Sequence, residues 1–124
     1  MATRHFSVEE ANAALAWVAE RIEKLRSARI RLTDEEVREA LSDAAPMNGG
    51  GDPGRSVSEA FLDMRTALHE LQEQQIVLRD LDRGLVDFPA IRDGREVYLC
   101  WVEGEDEIGF WHDLDAGYGG RQPL

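Results

Sequence analysis

The sequence predicts an α+β fold: a long antiparallel helical hairpin, then a small three-stranded antiparallel sheet and an irregular C-terminal clasp. Three observations predict it. Two stretches in the first two thirds of the chain repeat apolar residues at alternating three- and four-residue steps, the pattern of a helix with one apolar seam. Each stretch opens on a Ser-x-x-Glu pair, Ser7 with Glu10 and Ser56 with Glu59. Residues 84–124 then change character: they carry strand-like runs and hold six of the nine aromatics and seven of the eleven glycines.

The first helix starts at a capping box, in which the Ser7 hydroxyl accepts an orphan amide and the Glu10 carboxylate reaches back. Its seam is Val8, Ala11, Leu15, Val18, Ile22, Leu25 and Leu32, with Arg29 the one polar member. A helix from Val8 to Leu32 would be on the order of 35–40 Å long. Residues 33–41 either extend it or form a separate turn, since Asp34 and Glu35 suit a helix start. Residues 42–55 contain two prolines and four glycines and read as a mobile loop. The second helix opens at Ser56 and Glu59, with the seam Val57, Phe61, Met64, Leu68, Leu71, Gln75 and Leu78. The two pack as a hairpin over residues 7–80. A helical pair of this size buries little by itself, so the sheet and a second copy of the chain are both expected to cover it, the helices of two subunits forming a coiled-coil-like four-helix bundle.

In the sheet and clasp, residues 84–124, Val86 to Phe88 reads as a short strand that Pro89 confines to an edge or a strand end. Asp93-Gly94 is a hairpin turn signal. Arg95 to Val102 is the strongest strand, apolar on both faces and therefore expected to be covered on both. A turn at Glu103 to Asp106 leads to a third strand, Glu107 to His112. Asp113 to Leu124 is expected to be irregular but ordered. The whole chain, residues 1–124, makes one domain.

The formal net charge of −11 argues against nucleic acid or an anionic membrane as partner, because phosphate neutralisation needs clustered cations. No apolar run approaches the roughly 20 residues of a membrane helix, and the N-terminus lacks the apolar core of a secretory signal. One cysteine, Cys100, forms no internal disulfide and suits a reducing compartment. The expected location is the cytoplasm.

The runs GLVDFPA, DGREVYLCW, GEDEIGFWH and LDAGYGGRQPL, with HFSVEEANAAL near the N-terminus, resemble an uncharacterised bacterial family, the domain of unknown function DUF2203. The resemblance spans essentially the whole chain. It implies a small cytoplasmic bacterial protein and brings no established activity, so it transfers no catalytic residues.

The sharpest chemical constellation is His112 with Asp115 and Glu107, joined by Asp113 and by Asp87 and Glu96 if the sheet brings them near. An imidazole and several carboxylates can hold a divalent metal. On a regular strand, however, Glu107 and His112 point to opposite faces, and a joint site needs a bend at Gly109. The alternative is that His112 and Asp115 hydrogen-bond the terminal loop. Arg121 is expected over Trp101 or Trp111, or on a carboxylate of Asp87, Asp113 or Asp115; it either anchors the glycine-rich tail or grips an anionic ligand. Trp101 and Trp111 line either the core or a pocket for a flat ligand. Cys100 sits mid-strand and is expected to be buried rather than nucleophilic. His5 and His69 read as surface residues. No glycine loop has the context of a phosphate cradle. The resulting expectation is a non-enzymatic homodimeric protein-interaction module without a cofactor. The alternative is a divalent-metal-binding protein or metal-assisted enzyme around His112 and Asp115.

Overall fold

The computed structural model describes residues 3–42 and 52–124, with side chains for residues 3–34 and 54–124. Two helices, α1 (Val8–Ser42) and α2 (Asp52–Glu73), precede five strands. These are β1 (Val77–Asp80), β2 (Leu85–Arg92), β3 (Arg95–Val102), β4 (Phe110–Asp113) and β5 (Gln122–Pro123), with a single 3-10 turn at Tyr118–Gly120 before β5. The strands form one antiparallel meander in sequence order. Among the described residues no helix is long and apolar enough to cross a membrane.

The first capping box forms as its residues dictate. Glu10 N donates to Ser7 Oγ at 3.0 Å and Ser7 N to Glu10 Oε1 at 2.9 Å, satisfying two orphan donors reciprocally. Those hydrogen bonds also hold the Glu10 carboxyl below its usual range. From there α1 runs unbroken to Ser42, because nothing at residues 33–34 interrupts it; the Thr33 hydroxyl turns back to the Arg29 carbonyl at 3.0 Å. The buried face is Ala11, Val18, Ile22, Leu25 and Ala28. Arg29 is exposed, since a straight helix drifts off a strict heptad and passes the inward position to Ala28.

The second helix departs from its expected limits at both ends. It begins at Asp52, so Ser56 and Glu59 lie inside it and do not cap it; Pro53 near the start suits the first turn, where its missing N–H costs nothing. Most of the expected loop, residues 43–51, lies outside the described residues. At the other end Gln75 takes a left-handed conformation (φ 60°). Ile76 N then bonds the Leu71 carbonyl at 3.0 Å and Gln75 N the Gln72 carbonyl at 2.9 Å, the two bonds of a Schellman ending, and its apolar contact joins Ile76 to Leu71. Gln75 and Leu78 therefore leave the helical seam, and Leu78 enters β1. Arg21 on Glu70 at 2.7 Å and Arg31 on Asp63 at 2.5 Å tie the helices antiparallel.

The sheet has five strands where three were expected. Val77 to Asp80 falls within residues 7–80, expected as helical hairpin with Leu78 in its seam, and Gln122-Pro123 is too short to announce itself as a strand. Pro89 lies within β2, which is flanked on both sides, rather than at an edge. The reason is local: β1 reaches no farther than Asp87, so at Pro89 no neighbour requires its missing N–H. Its carbonyl accepts Phe6 N at 2.7 Å. The third expected strand is shorter and starts at Phe110. Strand alternation sorts the sheet residues: Val86, Phe88, Ala90, Val97, Leu99, Trp101 and Trp111 join the helices in one core. Leu85, Asp87, Pro89, Tyr98, Cys100, Phe110 and His112 occupy the opposite face.

A candidate metal centre on the outer face of the sheet

Antiparallel register brings the outer-face residues together across three strands. Asp87 on β2 pairs with Cys100 on β3, and Tyr98, two residues back, pairs with His112 on β4. Asp87, Cys100 and His112 are 2 %, 0 % and 1 % exposed, and one ligating atom from each lies within 4.8 Å of the other two. This is the one group of three or more such residues found among the described residues.

The hydrogen bonds define the protons. His112 Nδ1 bonds the backbone carbonyl of Asp113 at 2.7 Å, and Nε2 faces Asp87 Oδ1 at 3.0 Å. A carbonyl and a carboxylate both accept, so Nδ1 carries a proton and a second lies between Nε2 and Oδ1. The other Asp87 oxygen, Oδ2, accepts Arg79 Nε at 2.8 Å, a bond that raises the Arg79 guanidinium above its ordinary value and keeps it charged. Arg79 also lies 5.1 Å from the Tyr98 ring centroid, and Tyr98 packs beside His112 with ring centroids 5.6 Å apart. Burial pushes the Cys100 thiol up to about 12; the Asp87 charge adds to this and Arg121 opposes it. The thiol is therefore protonated at neutral pH and, without a metal, a poor nucleophile.

A pocket of about 280 Å³ opens beside the cluster. Asp87, His112 and Arg79 form part of its wall, with Leu85, Leu114, Asp115, Gly117 and Tyr118. The clasp holds its rim: Arg121 lies over Phe110 at 4.0 Å and Tyr118 at 4.5 Å and bonds both Glu105 carboxylate oxygens at 3.1 Å. Leu124 N donates to the Gly109 carbonyl at 3.0 Å.

Of the residues singled out from sequence, the fold brings His112 and Asp87 into contact and leaves Asp115 exposed at the pocket rim. Glu107 is exposed in the segment before β4, outside the cluster, because β4 begins only at Phe110. Glu96 is drawn off to His5 at 2.8 Å, and His69 pairs with Glu73 at 2.9 Å. Asp113 contributes its carbonyl to His112 while its carboxylate meets Arg95 at 2.8 Å. Trp101 and Trp111 lie in the core on the helix side, with Trp101 Nε1 bonded to the Glu105 carbonyl at 2.9 Å. Arg121 sits on the opposite face, so it stacks on Phe110 and Tyr118 instead of a tryptophan. Sequence reasoning missed Arg79, hidden in a segment read as helix, and Cys100 as a partner of Asp87. The available signal was strand parity: positions 98 and 100 share one face of β3, and register places 87 and 112 on that same face.

No curated protein and no solved structure matches the chain significantly. The family model that matches covers residues 4–124 and is described as an uncharacterized conserved protein; the chain belongs to this family, DUF2203.

Proposed function

We propose that this protein binds one transition-metal ion, of the zinc type, through Asp87 Oδ1, His112 Nε2 and Cys100 Sγ. The observation that carries the reading is that three buried residues, Asp87, Cys100 and His112, each bring one ligating atom within 4.8 Å of the other two. The supporting shell is of the kind metal sites use: a carbonyl fixes Nδ1–H and so points Nε2 at the ion, and an arginine holds the spare carboxylate oxygen. Zinc holds such ligands at about 2.0–2.3 Å, and so roughly 3.2–3.7 Å from one another, so loading would draw the three atoms closer than the 4.8 Å limit within which they lie. Thiolate, imidazole and carboxylate together select zinc or its neighbours over magnesium or calcium. Loading displaces the Cys100 proton and the proton between Nε2 and Oδ1.

Elemental analysis of purified protein, paired with cobalt titration, tests the reading. The expected result is one equivalent of metal and a near-ultraviolet thiolate-to-cobalt absorption that Cys100→Ser abolishes. An absence of bound metal, together with unchanged melting in zinc, cobalt or manganese, would remove it.

A separate observation favours a second role, as a homodimeric interaction module. Helix α2 turns Ala60, Ala67 and Leu71 inward and leaves Phe61 at 58 %, Leu62 at 59 % and Leu68 at 38 % exposed. Light scattering after size exclusion tests it: a dimer that Phe61→Glu converts to a folded monomer supports it, and a monomeric parent protein at micromolar concentration sinks it.

A further inference from the structure

The pocket beside the cluster has the chemistry of a substrate site, and we infer that it takes a small monocarboxylate gripped at two points, by the bound metal and by Arg79. The inference rests on the metal reading above. Asp87 and His112 form part of the pocket wall whereas Cys100 does not, so an ion among the three has the thiolate behind it and its remaining position facing the cavity. Three protein ligands with one open position is the arrangement of zinc sites that bind small molecules. Arg79 stands on the same wall, with Nε committed to Asp87 and the guanidinium also engaging Tyr98, and its remaining N–H groups provide donors suited to a carboxylate.

Charge and size narrow the ligand further. A dipositive ion, the Cys100 thiolate, the Asp87 carboxylate and the Arg79 guanidinium sum to one positive charge, which one carboxylate neutralises. Asp115 at the rim disfavours a second anionic group. The volume of about 280 Å³ corresponds to the share of roughly nine water molecules, below the usual range for drug-sized ligands. Leu85, Leu114 and the Tyr118 ring supply apolar wall, so the ligand's body is short and apolar or aromatic rather than a sugar or nucleotide.

Benzoate is a suitable probe, with the neutral benzamide as its isostere. Calorimetric titration uses the zinc-loaded and the chelated full-length protein, with zinc content measured in each sample. Benzoate should bind the loaded protein about tenfold or more tightly than benzamide does, the scale of a charge-assisted hydrogen bond. It should bind the chelated protein at least about tenfold more weakly than the loaded one. Arg79→Gln, retaining its zinc, should reduce the preference for benzoate. Loaded protein that treats benzoate and benzamide alike, or chelated protein that binds benzoate as well as loaded protein does, overturns the inference and leaves the metal reading standing. Failure to take up zinc at all overturns both.

Discussion

Asp87→Ala probes the centre of the outer face most directly. The carboxylate is 2 % exposed and holds Arg79 Nε at 2.8 Å and His112 Nε2 at 3.0 Å. Removing it leaves the buried imidazole without an acceptor at Nε2 and frees the Arg79 head. Deleting one partner of a buried ionic cluster costs about 3–5 kcal/mol. For 124 residues the unfolding entropy is roughly 0.26 kcal/mol/K, so the melting temperature of metal-free protein should fall by roughly 10–20 °C. The assay is calorimetric melting in chelator at neutral pH, with His112→Ala and the double variant completing a mutant cycle. Because the two side chains share a hydrogen bond, their losses should fall short of adding, by about 1 kcal/mol or more. A loss under about 1 kcal/mol for Asp87→Ala, or strict additivity with His112→Ala, would refute the claim that these residues act as one network.

Three further outcomes follow from other parts of the structure. Cys100 has its pKa raised from 9.0 to about 12, so above pH 9 the unfolded chain loses a proton that the folded chain keeps. Stability of metal-free protein should therefore decline between pH 9 and about 12 by up to about 1.4 kcal/mol per pH unit; a Cys100→Ser variant with the same decline, by denaturant titration, would contradict this. Ser7→Ala removes a cap that pairs in both directions and should cost about 1 kcal/mol in the same titration, with an unchanged result counting against the cap. Gly84 has φ 66°, and a Cβ there would lie 2.6 Å from Glu103 Cβ; Gly84→Ala should cost about 1–3 kcal/mol, and a melting temperature equal to the parent's would show that this turn relaxes freely.

Much of the helical half was legible because its signals are local. The Ser7–Glu10 box, the inward positions Ala11, Val18, Ile22 and Leu25, and the strand at Arg95 to Val102 all depend on residues a few positions apart. The misreadings have local explanations as well. Ser56 and Glu59 have the residue types of a cap, but Asp52 and Pro53 start the helix a turn earlier. Leu78 fits the helical seam by spacing, yet Gln75 turns the chain out of the helix first. On α2 the apolar residues at 61 and 68 suited an inward seam, and the smaller Ala60 and Ala67 took that place facing α1.

The sequence by itself determined the α+β class, the helix-first order and the burial of Cys100, since period, capping and β-propensity act over short separations. It also marked His112 and Asp87 as candidates by residue type alone. Only the tertiary structure decided their partners. Arg79 and Asp87 meet through the β1–β2 pairing, and Asp87, Cys100 and His112 meet through the register of β2, β3 and β4. A one-residue slip would have sent each of them to the helix side. Register is set by burial of Val86, Phe88, Leu99 and Trp111 against the helices, so the packing of the core chose which polar atoms converge on the opposite face.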